Sequence, residues 1–114
     1  MSKIYKGDIW IMHLDPTVGR EQAKTRPCLV VSANGFNHSA SGLVIAIPIT
    51  SKNKNIPIHI SIEPGVGGLK VKSYLMCEQI RSVSIKRIDN YLGRVEEDIL
   101  VEIENMLKRL LDFY

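Results

Sequence analysis

Short apolar runs separated by polar breaks cover most of this chain, and their spacing predicts strands rather than helices. Gly7-Asp8-Ile9-Trp10-Ile11-Met12-His13-Leu14-Asp15, bounded by Gly7 and by Asp15-Pro16, predicts a first strand. Pro16 to Arg26 is a polar connection of eleven residues, long for a hairpin and of the kind that often carries function. Pro27 to Ala33 predicts a second strand, closed by Asn34-Gly35. Leu43 to Ile49 is almost wholly apolar, as expected of a central strand. Ile56 to Ile62 alternates strictly. That pattern turns four isoleucines to the core and Pro57, His59 and Ser61 outward, with Pro57 marking an edge or a strand start. Beyond the turn cluster Pro64-Gly65-Val66-Gly67-Gly68, Tyr74 to Val83 and Tyr91 to Val95 predict the last strands.

The tail changes period. Ile99, Ile103, Met106 and Leu110 form a helical stripe, widened by Leu100, Leu107 and Leu111. Glu96, Glu97 and Asp98 fall in its first turn and Lys108 and Arg109 in its last, both favourable to the helix dipole. About six short strands and one terminal helix predict a mainly β fold, a small SH3-like barrel with a C-terminal helix.

The length of 114 residues predicts one domain. With 45% hydrophobic residues the chain can build a core, which excludes disorder. No apolar run approaches the ~20 residues of a membrane span, and no charge-free apolar segment follows the N-terminus, so the expected location is the cytoplasm, with no membrane partner. Cys28 and Cys77 lie inside apolar stretches and are expected as buried thiols. No Cys/His cluster has metal-site spacing, and no cofactor is expected. The net charge of +3 hides an asymmetry: residues 1–95 hold 13 Lys/Arg against 6 Asp/Glu, whereas residues 96–114 hold 2 against 6. A basic body suits a polyanion such as nucleic acid.

Candidate chemistry collects around Arg26. Arg20, Glu21, Lys24 and Arg26 crowd the loop before the second strand. A guanidinium stays charged at any pH and offers several fixed donors to a phosphate. Its alternative task is an ion pair with Glu21 or Asp15. Thr50 ends the central apolar run, where its hydroxyl can donate to a phosphate or simply cap a turn. His13, His38 and His59 show no spacing that suggests a two-histidine mechanism.

These residues sit in blocks that resemble a known family, the MazF/PemK/Kid ribonuclease toxins of bacterial toxin–antitoxin pairs. The blocks are Gly7-Asp8-Ile9-Trp10 with Leu14-Asp15-Pro16-Thr17-Val18-Gly19; Glu21-Gln22 with Thr25-Arg26-Pro27 and Val30-Val31; Phe36-Asn37; Ile47-Pro48-Ile49-Thr50-Ser51; Glu78-Gln79-Ile80-Arg81-Ser82-Val83; and Arg87-Ile88 with Leu92-Gly93. Their joint order over roughly residues 5 to 111 carries the resemblance. It implies an SH3-like barrel, a homodimer, metal-independent cutting of single-stranded RNA at a short sequence, and a cognate antitoxin that blocks the RNA site. It also implies catalytic roles for Arg26 and Thr50.

Cleavage without metal uses the substrate's 2′-hydroxyl as nucleophile, and so needs a base, an acid and donors for the charge on phosphorus. Glu21 could be the base or could orient Arg26. Glu78 could be a base or could pair with Arg81. Parts of the family carry an arginine two positions before an acidic residue here, whereas this chain reads Met76-Cys77-Glu78. Arg20 could assist the phosphate. Gln22, Ser51, Gln79 and Arg81 could read base edges or position the backbone, and Lys52 and Lys54 steer RNA by charge. Phe36 could stack on a base or pack locally. Two other classes compete. One is a CcdB-like toxin that binds DNA gyrase without catalysis. The other is a plain SH3-like module, which the dispersed aromatic residues do not favour.

Overall fold

The computed structural model describes residues 3–16, 18–21 and 24–114. Among these lie seven strands: β1 (Asp8–His13), β2 (Thr25–Val30), β3 (Leu43–Thr50), β4 (Ile60–Ile62), β5 (Ser73–Leu75), β6 (Arg81–Ser84) and β7 (Ile88–Arg94). A short helix α1 (Asn34–Asn37) and a long helix α2 (Glu97–Leu111) join them, with 3₁₀ turns at Val66–Gly68, Cys77–Gln79 and Ile85–Arg87. Every pairing is antiparallel, in the order β4-β5-β3-β2-β1-β7, with β6 also on β3.

The mainly β fold with a C-terminal helix matches the expectation. The sheet is open, however, and not a closed barrel, because its end strands β4 and β7 do not pair with each other. The reason lies in β3. One edge pairs with β2, and the other is divided between β6, opposite Leu43 to Ala46, and β5, opposite Ile49 and Thr50. Pro48 sits between those two ladders. Proline has no N–H to give, and none is called for in the gap. Its carbonyl still accepts from Met76 N at 3.0 Å.

β3 is apolar throughout because both its faces are covered. Ile9, Leu29, Ile47, Ile49, Ile60, Ile62 and Leu75 build one core, onto which α2 presses Ile103 and, less deeply, Ile99, Leu100, Met106 and Leu107. Trp10, Met12, Cys28, Val30, Val44, Ala46 and Val83 build the other, closed by Ile4, Leu14 and Ile88. Leu111, part of the expected stripe, remains half exposed in the last turn of α2, which is closed by Asp112 in the left-handed region. Glu97 and Asp98 in the first turn of α2, and Lys108 and Arg109 in the last, complement its dipole as expected. The turn Val66–Gly68 lies against β7 at backbone contact: a Cβ on Gly68, whose φ is +78°, would stand 2.1 Å from Leu92 O.

Three boundaries differ from the sequence pattern in ways that matter. Arg26 lies within β2, paired with Met12, and not in the preceding loop, because the ladder with β1 extends back to Thr25. The Ile56–Ile62 alternation forms a strand only at Ile60–Ile62. Asn55 takes a left-handed turn (φ +55°), and Ile56 stays 37% exposed instead of reaching the core. The Tyr74–Val83 run is broken into β5 and β6 by the turn at Cys77–Gln79.

Candidate functional site

β2 positions Arg26, and β3 positions Thr50. Cys28 pairs with Pro48 in the β2–β3 ladder. Continued by two residues, that register brings Arg26 level with Thr50 on the same face of the sheet, since directly opposed residues share a face. Thr50 in turn pairs with Tyr74, and Tyr74 with Ser61. A polar row, Arg26–Thr50–Tyr74–Ser61, therefore crosses the sheet.

Arg26 is half-buried, and Cys28 beneath it is fully buried. Burial pushes the Cys28 thiol up to about 12, while the charges of Arg81 and Arg26 both pull it back. The guanidiniums of Arg26 on β2 and Arg81 on β6 thus both act by charge on one buried sulfur. Arg81 Nη1 also donates to Leu14 O at 3.4 Å.

Thr50 is 3% exposed, and its Oγ1 accepts from Lys52 N at 3.2 Å. The turn-capping role expected as an alternative is therefore present. A hydroxyl keeps its own proton to donate while accepting, so capping and phosphate binding are compatible. The turn throws Ser51, Lys52, Asn53 and Lys54 into solvent.

Glu78 does not take Arg81 as its partner. Its Oε2 lies 2.8 Å from His59 Nε2, with the imidazole 3% exposed and the carboxylate 30% exposed. This overturns the expectation that His59 points into solvent. The strand register is responsible: Ile60 pairs with Leu75, so one step further His59 comes level with Met76, at the mouth of the turn that carries Glu78. His59 Nδ1 is buried with no hydrogen-bond partner. The pair is therefore layered, with a reachable carboxylate in front and an imidazole sealed behind. Met76 itself is 1% exposed.

The remaining expected residues divide. Glu21 folds back on its own loop, its Oε1 accepting from Val18 N at 2.7 Å. Arg20 is exposed, and its carbonyl accepts from Gln79 Nε2 at 3.2 Å. Gln22 lies outside the described residues. Phe36 is 38% exposed on α1. His13 bonds Thr25 Oγ1 at 2.8 Å and His38 bonds Ile4 O at 2.7 Å, so the three histidines do not form a pair. Two residues carry more than the sequence suggested. His59 was hidden by its place in an alternating run. Arg87 Nη1 donates to His13 O at 3.1 Å and to Asp15 O, and so pins the root of the loop that leads to Arg20 and Glu21. Among the described residues no group of three or more His, Cys, Asp or Glu could hold a metal ion, and no helix is long and apolar enough to cross a membrane.

A family model described as the PemK-like, MazF-like toxin of type II toxin–antitoxin systems matches residues 5–111. The chain belongs to that family. Endoribonuclease PemK of Escherichia coli is 34% identical over 96% of this chain and 84% of its own length. MazF from Deinococcus radiodurans superposes with a TM-score of 0.87 at 27% identity, over 98% of this chain and 99% of that one. A MazE–MazF structure from the same organism superposes with a TM-score of 0.80 at 27% identity, over 100% of both chains. In this PemK/MazF-like chain the family's sheet and terminal helix are present, and the polar row runs from β2 to β4 with the His59–Glu78 pair beside the start of β4 and the turn after β5.

Proposed function

We propose that this chain is the endoribonuclease toxin of its toxin–antitoxin pair, cutting single-stranded RNA at a short sequence without metal, as a homodimer that a cognate antitoxin blocks in the cytoplasm. The observation that carries the reading is a reachable Glu78 carboxylate backed by the buried His59 imidazole, on the same sheet as the half-buried Arg26 and the recessed Thr50 hydroxyl that its register brings level.

Arg26 and Arg81 hold the non-bridging oxygens of the scissile phosphate and meet the charge that grows on them. Thr50 adds a neutral donor. Glu78 takes the proton of the 2′-hydroxyl, and His59 behind it stabilises the carboxylate's position and shares the proton. The 2′-oxygen bonds to phosphorus and the bond from phosphorus to the 5′-oxygen breaks, leaving a 2′,3′-cyclic phosphate. The leaving 5′-oxygen takes a proton from the Thr50 hydroxyl, which regains one from water, and the proton held by Glu78 neutralises the hydroxide so formed. Arg20, Lys52 and Lys54 are exposed cations that draw the backbone in. Gln22, Ser51 and Gln79 contribute to base selection, and Glu21 acts by shaping the loop rather than by moving a proton.

The test is incubation with a long single-stranded RNA in EDTA beside Arg26→Ala, with the 5′ ends of the products mapped. The expected result is discrete cuts at one recurring short sequence, lost in the variant. Intact RNA from folded protein would overturn the reading and favour a CcdB-like binding toxin.

A further inference from the structure

A second polar and aromatic cleft lies at the other end of β1 from Arg26. Its volume is about 290 Å³, and Lys3, Tyr5, Asp8, Trp10, Tyr91 and Arg94 line it. From Asp8 to Met12, the partner of Arg26, is four residues along a strand, or about 13 Å. The cleft is thus separate from the polar row but within reach of one extended nucleic-acid strand.

Its chemistry is one-sided. The Asp8 carboxylate is 4% exposed and already committed, accepting from Tyr5 N at 2.8 Å and Trp10 Nε1 at 3.3 Å, with Arg94 at 3.7 Å. What faces solvent is the cation of Lys3, the 56%-exposed guanidinium of Arg94, and two phenol rings. Tyr91 is 51% exposed and stands edge-on to Trp10, with ring centroids 5.3 Å apart. Tyr5 is held edge-on to His38 at 4.9 Å. Arg94 also donates from Nη2 to Lys6 O at 3.1 Å, which with Asp8 fixes its guanidinium while leaving it half in solvent. Fixed, half-exposed rings beside exposed cations are what a stacked base and its phosphate require. β7, which carries Tyr91 and Arg94, has no strand beyond it among the described residues, so the cleft opens at a free sheet edge.

We infer that this cleft is a second RNA subsite, which stacks one base of a single strand on Tyr91 and holds the adjoining phosphate with Lys3 and Arg94. The inference deepens the ribonuclease reading, since the occupant is the flank of the same RNA. A protein segment is the competing occupant.

Trp10 is the one tryptophan in the chain, and it forms the floor of the cleft, so its emission reports occupancy directly. The full-length protein is titrated with a single strand of about twelve 2′-O-methyl ribonucleotides, a length within the ~4–16-nucleotide footprint of small single-strand binders. The expected result is saturable quenching of Trp10. Tyr91→Ala weakens binding by roughly ten- to a hundredfold. Lys3→Gln lowers the slope of log affinity against log salt by about 0.7. Both side chains are at the surface, and circular dichroism checks the fold. Unchanged emission at saturating strand, or affinity within about twofold in both variants, overturns the inference and leaves the cleft to a protein. The two readings fail separately. RNA cut normally with Trp10 silent removes the subsite alone, whereas quenching by a protein that cuts no RNA keeps the subsite and removes the enzyme.

Discussion

His59 and Glu78 meet at 2.8 Å across nineteen positions of sequence, and the two are exposed to very different extents, 3% and 30%. The carboxylate is the end that solvent reaches, and in the proposed mechanism the imidazole acts through it. Glu78→Gln is expected to lower kcat by about 10²–10⁴-fold, the usual weight of a positioned base. His59→Gln is expected to lower kcat with KM nearly unchanged, and the loss should be absent in a Glu78→Gln background. A His59 that only filled space would lower the urea midpoint and leave single-turnover rates of the folded protein as in the wild type.

Arg87 supports the site from a distance. Its guanidinium holds the carbonyls of His13 and Asp15, seventy-four and seventy-two positions away, where β1 gives way to the loop. Arg87→Ala removes exposed hydrogen bonds, each worth about 1 kcal/mol, so thermal stability should change little. The loop it releases carries Arg20 and Glu21. Displacement of substrate-positioning groups by about 1 Å costs up to about 10²-fold in rate, and a loss of kcat/KM of that order is expected, partly restored in Arg87→Lys. Wild-type kinetics in Arg87→Ala would assign it no part in positioning.

Gly68 tests the packing of the turn Val66–Gly68 on β7. An alanine there would drive its Cβ to 2.1 Å from Leu92 O at a φ of +78°. Backbone meets backbone at this point, so no side chain can swing aside. Left-handed strain costs about 1–2 kcal/mol, and overpacking adds about 1–3 kcal/mol. Gly68→Ala should lower the urea midpoint accordingly, whereas Gly42→Ala, with open space around it at φ +69°, should show the strain alone.

The two thiols give stability a dependence on alkaline pH. Burial pushes Cys28 and Cys77 up to about 12 from 9.0, and for Cys77 the carboxylates of Glu78 and Glu102 add to the rise. Below pH 9 both states keep the protons and the thiols add no slope. Between about 9 and 12 the unfolded chain loses protons that the folded chain retains, so stability falls as pH rises. Replacing both cysteines with alanine should flatten this part of the curve relative to wild type, as read by urea unfolding at pH 8.5 and 10.5. At neutral pH neither thiol should react with an alkylating reagent until the protein unfolds.

How much of this was legible in the sequence follows from which contacts are local. β1, β3 and α2 could be read because apolar period and boundary residues are local properties. Thr50 could be placed at a strand end because it closes an apolar run, whereas Arg26, expected in the loop, lies inside β2 because its pairing with Met12 is not a local property. The His59–Glu78 pair could not. Its two members belong to segments whose meeting depends on β4 pairing with β5, and an alternating pattern gives no sign that a histidine on the polar side lies beneath a neighbouring turn. The division of one edge of β3 between β5 and β6 was hidden for the same reason, and with it the open sheet. Pro48 was visible as an anomaly in a central strand, although only the pairing shows why it is tolerated there.

The splitting of β3 also sets a timetable. A ribosome releases β2 and β3, and with them Arg26 and Thr50, before it releases β5 and β6, which share the other edge of β3. Glu78 comes later, β6 brings Arg81, and β7 must still arrive to cover β1, with α2 closing the core under Ile47 and Ile49. A chain cut short anywhere before its last third therefore holds Arg26 and Thr50 without Glu78 or Arg81. For a protein whose activity would turn on the messages being translated around it, the fold defers competence until synthesis is nearly finished, which leaves an interval in which a partner can engage the chain first.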